Sequence, residues 1–217
     1  MITVITKTFN SPTIDKSEIL RYAGMKDSSP EIDTLIKECL EEIKGKLSYK
    51  VCYAHFPLKI TETEIDLSFT RVKSSKLSKN LEGCRSFLLF AATVGIEIDR
   101  QIARYIKFSP SKALLFQAIG AERIESLCNA FSMFAESEYG FAKPRFSPGY
   151  GDLPLEIQKD FFRVLEPGRK IGVSLTESMM MIPSKSVTAI IGISDSFCEN
   201  TRQNCNNCEK TNCIYRR

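Results

Sequence analysis

The chain has no tryptophan and a single histidine, His55, among its 217 residues. His55 lies inside a strand pattern, where a lone imidazole reads as a packed side chain, so a Ser-His-Asp relay or a histidine-built metal site is not expected. Long apolar runs are also missing. The longest, Phe87 to Ile96, is about half of the roughly 20 residues a membrane span needs. Met1 to Lys7 lacks a basic start followed by an apolar stretch, so no export signal is read and a cytoplasmic protein without a membrane partner is expected. Gly45-Lys46 is followed by Leu47, without the upstream glycine of a P-loop, and Gly149-x-Gly151 lacks the third glycine of a dinucleotide fingerprint. Neither sign of charge dominates: 30 Lys and Arg against 26 Asp and Glu give +4, without a block. A nucleic-acid face is therefore not called for.

What is present is ordinary globular material, 43% hydrophobic and 26% charged, enough for one core. Ser29-Pro30 is a helix start, and Ile32, Leu35, Ile36, Cys39, Leu40 and Ile43 follow at helical spacing. A shorter helix over Ser17 to Tyr22 should end near Gly24. From Tyr49 to Val72 the period becomes two, which predicts a hairpin or meander with one buried face carrying Cys52, Ala54 and Phe56. Phe87 to Val94 predicts a central strand, and Gly95 turns the chain into a helix from about Glu97. The longest helix is predicted over Ser111 to Tyr139, then a loop over Gly140 to Asp152, then a helix closed by Pro167-Gly168. Ile171 to Leu175 and Val187 to Ile193 read as strands. The fold class is α+β, with a body over residues 1–194 and a short cysteine-rich tail over 195–217.

The eight cysteines divide by position. Cys39, Cys52 and Cys128 fall on buried faces and read as small core residues, and Cys84 is undetermined. Cys198, Cys205, Cys208 and Cys213 form C-x6-C-x2-C-x4-C in a tail almost without apolar residues. Four soft thiolates in that spacing suit either tetrahedral zinc or an iron-sulfur cluster. The other informative segment is Lys143 to Asp152. Ser147-Pro148-Gly149-Tyr150 has proline and glycine at the centre of a type II turn, which would hold Arg145 and Tyr150 just outside it. A guanidinium beside a phenol suits a ligand with a carboxylate and a flat group.

Arg145-Phe-Ser-Pro-Gly-Tyr150, taken with Ala91-Ala-Thr-Val-Gly-Ile-Glu-Ile-Asp99, Ala121-Glu-Arg-Ile-Glu-Ser126, Leu175-Thr-Glu-Ser178 and Pro183-x-x-Ser186-Val187, resembles the activation domain of cobalamin-dependent methionine synthase. The resemblance runs over roughly Leu81 to Ile193. It implies a domain curved around a twisted antiparallel sheet with packed helices, binding S-adenosylmethionine and docking on a cobalamin-binding methionine synthase or related corrinoid protein. Within that family, one electron and the methyl of S-adenosylmethionine restore methylcobalamin from its inactive oxidised form. Carried over, Arg145 and the backbone at Pro148 and Gly149 hold the ligand, Tyr150 lies near it, and Glu125, with Glu177 as a further candidate, answers its positive charges.

The expectation is therefore an auxiliary part of a cobalamin-dependent methyltransferase system, acting in trans rather than as one domain of a fusion. An iron-sulfur tail would relay the electron from a donor. The alternative is a non-redox binding module with a structural zinc knuckle that assembles with a corrinoid protein or nucleic acid. Two departures stand out. Gly151-Asp152-Leu153-Pro154 replaces a family segment bearing Cys and His, and the cysteine tail replaces chain that contacts the ligand.

Overall fold

The computed structural model describes residues 3–61 and 64–195. In chain order the N-terminal half contains β1 (Ile5–Thr8), α1 (Lys16–Tyr22), α2 (Pro30–Ile43), β2 (Lys50–Pro57), β3 (Lys59–Ile60), β4 (Ile65–Asp66), β5 (Arg71–Val72) and α3 (Ser75–Asn80). After these come β6 (Ser86–Thr93), α4 (Glu97–Tyr105), α5 (Pro110–Tyr139), β7 (Phe141–Ala142), α6 (Gln158–Leu165), α7 (Pro167–Ile171), β8 (Ser174–Leu175), β9 (Met181–Ile182) and β10 (Ser186–Ser194). The main sheet is antiparallel, in the order β1-β2-β6-β10-β7, and curls into a half-barrel. The fold is α+β.

β6 lies between β2 and β10, and all eight of its residues are buried. Its alternation divides the core. Leu88, Phe90 and Ala92 face α1, α2, α4 and α5, while Phe87, Leu89 and Ala91 face α3, α6 and α7. Burial on both faces explains why β6 reads as a continuous apolar run rather than an alternating one. Truncating Phe90 to Ala would cost about 3 to 5 kcal/mol.

Several helix boundaries follow the local chemistry. The Ser29 hydroxyl accepts from the Ile32 amide with Pro30 at the first helical position, and Asp15 caps α1 through the Ser17 and Glu18 amides. α5 buries Leu115, Phe116, Ile119, Leu127 and Phe131 against the sheet. On its N-terminal half the adjacent side chains Glu122 and Arg123 are paired at 2.5 Å with 2% exposure each. Arg123 also donates to the Pro12 and Thr13 carbonyls, while Glu122 accepts from the Asp15 amide and the Ser126 hydroxyl. A buried charge pair is tolerated only when its remaining donors and acceptors are met, and here that requirement ties residues 12–15 to α5.

The structure corrects five expectations. β2 is not half-buried: Val51 and Tyr53 enter one core while Cys52, Ala54 and Phe56 enter the other, because helices cover both sheet faces. β2 also does not pair with the segment after it, since β3, β4 and β5 form their own three-stranded sheet. Pro167 opens α7 rather than closing a helix, because Glu166 takes the left-handed conformation that ends α6, and the strand expected over Ile171 to Leu175 is only β8. Residues 140–146 are not a free loop. They run along β10 through β7, the Lys143 amide to the Gly192 carbonyl, and the Phe146–Ile190 bridge. The tail beyond residue 195, with Cys198, Cys205, Cys208 and Cys213, lies outside the described residues.

Candidate functional site

Alternation along the sheet edge sets the site. Phe146, 3% exposed, enters the α6 side of the core, so its neighbour Arg145 is directed to the opposite side, against α5. There one guanidinium nitrogen donates to Glu125 Oε2 at 2.8 Å, and the other to Asn129 Oδ1 at 2.9 Å and Ser132 Oγ at 3.3 Å. Glu125, Asn129 and Ser132 are four and three residues apart, the spacing that aligns side chains on one helix face. The Arg145 and Glu125 side chains are 23% and 44% exposed, so the pair is anchored and still open to solvent.

Sequence reasoning singled out Arg145 and Glu125, and the structure brings them together. It also adds Asn129 and Ser132, whose spacing from Glu125 was a usable signal. From α1, Tyr22 approaches the same carboxylate: burial first, and then the charge of Glu125, raise its phenol above the usual range. The Arg21 guanidinium stacks 4.2 Å over the Tyr22 ring and pairs with Glu18. The site is thus a run of alternating charges across α1, α5 and the Arg145 edge.

Next to it, Ser147 to Tyr150 forms the expected turn. The Tyr150 amide donates to the Ser147 carbonyl at 3.1 Å, and Gly149 has φ 79°, a conformation that L side chains rarely adopt. Tyr150 is 55% exposed and meets Phe146 edge to face at 5.4 Å. The turn is closed a second time by the Gly149 amide to the Leu153 carbonyl and the Leu153 amide to the Tyr150 carbonyl. Glu177 is not brought to Arg145 by any described contact. It sits exposed in the Thr176–Met180 turn between β8 and β9, which Gln158 of α6 holds through the Met179 carbonyl.

The buried thiols are core residues, as expected. Burial pushes the Cys39 thiol up to about 11 and the Cys52 and Cys128 thiols to about 12, which removes nucleophilic thiolate. His55 packs its ring on Tyr139 at 4.9 Å. Among the described residues no group of three or more His, Cys, Asp or Glu could hold a metal, and no helix is long and apolar enough to cross a membrane. An open groove of about 730 Å³ between β3–β4 and α3, walled by Lys73, Ser78, Glu82 and Asp152, does not include Arg145.

Residues 132–200 match the family model "Vitamin B12 dependent methionine synthase, activation domain". No curated protein matches the chain. Among solved structures, a crystal structure of the MetH reactivation domain bound to AdoHcy superposes with a TM-score of 0.68 at 16% identity, covering 91% of this chain and 80% of that one. In sequence over 132–200 and in fold over most of its length, the chain resembles the activation domain of vitamin B12 dependent methionine synthase.

Proposed function

We propose that the chain is an S-adenosylmethionine-binding module for reductive remethylation of cobalamin carried by a methionine synthase or related corrinoid partner, to which it docks in trans. The observation that carries this reading is the Arg145–Glu125 pair beside the Ser147–Tyr150 turn; Arg145 and the turn lie inside the segment that matches the activation-domain family, and Glu125 lies just before it. The MetH domain of the same fold was crystallised with AdoHcy, which supports the choice of ligand.

The residues fit such a ligand. Its amino-acid end carries a carboxylate and an ammonium, and the Arg145–Glu125 pair offers one charge for each. An arginine has five N–H donors. Arg145 directs its described bonds to Glu125, Asn129 and Ser132, so donor capacity remains for a ligand carboxylate. Gly149, exposed and without a side chain, permits close approach beside the half-buried Pro148, and Tyr150 supplies a flat face. Glu177 is a candidate for the ligand's positive charge only if the β8–β9 turn faces the bound ligand. When bound, S-adenosylmethionine would supply the methyl group to the partner's one-electron-reduced cobalamin and leave as S-adenosylhomocysteine. The chain's own residues bind and orient, which is where a positioning module contributes to rate.

For the tail, Cys198, Cys205, Cys208 and Cys213 are proposed to hold one metal centre. An iron-sulfur cluster there would pass the electron from a donor protein, which zinc could not do. Calorimetric titration of the full chain with S-adenosylmethionine and with S-adenosylhomocysteine tests the ligand reading. Saturable one-site binding is expected, and folded protein that binds neither overturns it.

A further inference from the structure

Asp152 follows the ligand turn directly, yet its carboxylate reaches α3, which lies 76 to 78 residues earlier in the chain. It accepts from the Ser74 hydroxyl, from the Ser75 amide and hydroxyl, each at 2.7 Å, and from the Lys76 amide at 3.2 Å. We propose that Asp152 is a positioning residue that clamps the Ser147–Tyr150 turn to the start of α3, so that the ligand-facing backbone is set before any ligand arrives. The inference rests on the ligand reading above.

Three observations carry it. First, beyond its own backbone bonds and the Tyr150–Phe146 contact, the middle of the turn is not packed into the body: Gly149, Tyr150, Gly151 and Asp152 are all exposed, while Phe146 and Leu153 at its two ends are buried. Two glycines at positive φ, Gly149 and Gly151, make such a segment costly to order, and a ligand that had to order it would bind more weakly. Second, α3 is a firm anchor. Leu77 and Leu81 are fully buried, and Ser74, itself 6% exposed, accepts the Leu77 amide at 3.0 Å while donating to Asp152. Third, the turn runs close beside the start of α3: a Cβ on Gly151 would lie 2.7 Å from Cδ and 3.3 Å from Cβ of Lys76. None of the described contacts of Asp152 is to Arg145 or Tyr150, so its influence passes through the turn.

The test uses the full chain as wild type, Asp152→Ala, Asp152→Asn, Ser75→Ala and the Asp152→Ala/Ser75→Ala double variant. Amide exchange is followed in ligand-free protein, and S-adenosylmethionine affinity by calorimetry. In Asp152→Ala, exchange at the Gly149, Tyr150 and Leu153 amides should rise about tenfold or more while β6 amides stay protected, and affinity should fall about fivefold or more. Asp152→Asn, which keeps an acceptor oxygen, should recover part of both. Ser75→Ala should add nothing once Asp152 is gone, as expected of residues acting as one unit. Unchanged loop exchange in Asp152→Ala would overturn the clamp. So would an equal rise in loop and β6, which is the mark of a merely structural role. An affinity loss with unchanged loop exchange would make Asp152 a direct ligand contact instead. If the wild type binds no S-adenosylmethionine, the ligand reading falls, and the exchange measurements still decide the clamp.

Discussion

Replacing Arg145 by alanine separates binding from folding, because the structure assigns the two effects different sizes. Arg145 loses its bonds to Glu125, Asn129 and Ser132, but the ion pair is partly exposed at 23% and 44%. An exposed or half-exposed pair contributes only about 0.2 to 1 kcal/mol to stability, so the variant should stay folded, with a melting temperature a few degrees lower at most. Losing a charge-assisted contact to a ligand carboxylate costs about 1.5 to 3 kcal/mol, a roughly ten- to hundredfold weaker dissociation constant. Glu125→Ala should weaken S-adenosylmethionine by a smaller factor, since it removes the partner of the ligand ammonium but leaves the guanidinium. In Arg145→Ala the unpaired Glu125 faces the ligand carboxylate, so the double variant should bind no worse than Arg145→Ala alone. Calorimetry with thermal unfolding on the same samples provides both numbers. An unchanged dissociation constant in folded Arg145→Ala would remove the residue from the site, and losses that simply add would show that the two side chains do not read one amino-acid group.

Gly149→Val places a β-branched residue at φ 79°, at a cost of about 1 to 3 kcal/mol; a denaturant midpoint equal to wild type would show that the turn relaxes freely. Glu122→Ala leaves Arg123 buried at 1% exposure without its carboxylate and should destabilise by about 3 to 5 kcal/mol, with residues 12–15 released first; a loss below about 1 kcal/mol would contradict the pinning. The Asp152 carboxyl, hydrogen-bonded first by Ser74 and then by Ser75 and the Ser75 and Lys76 amides, is held at about 2, below its ordinary 3.8. Its folded-state value is depressed, so its contribution is fully present above pH 3.8 and is lost as pH falls through 2; a carboxyl titration by NMR centred near 4 would refute this. Anaerobic protein expressed with ample iron and zinc should carry about one zinc ion or one cluster per chain, lost in Cys205→Ser/Cys208→Ser, and stoichiometric absence of both metals would end the tail proposal.

Much of the chain's local structure could be read from residue order, because it depends on neighbours within a few positions. Ser29-Pro30 marked the start of α2, the run Phe87 to Val94 marked β6, and Pro148-Gly149 marked the turn and its positive φ. Arg145 stands out from its place beside that turn, and Glu125 only through the resemblance carried by motif order. What residue order did not reveal depends on which elements meet. The alternation of Cys52, Ala54 and Phe56 predicts one buried face, and only the helices packed on both sides of the sheet make Val51 and Tyr53 core as well. β1 is a short edge strand whose place comes entirely from pairing with β2, and residues 140–146 become sheet edge only because β10 is beside them. At the site, the guanidinium meets its carboxylate across 20 residues of separation, and Asp152 meets Ser74 across 78. Such contacts are made by chain closure and buried packing, and no local spacing encodes them.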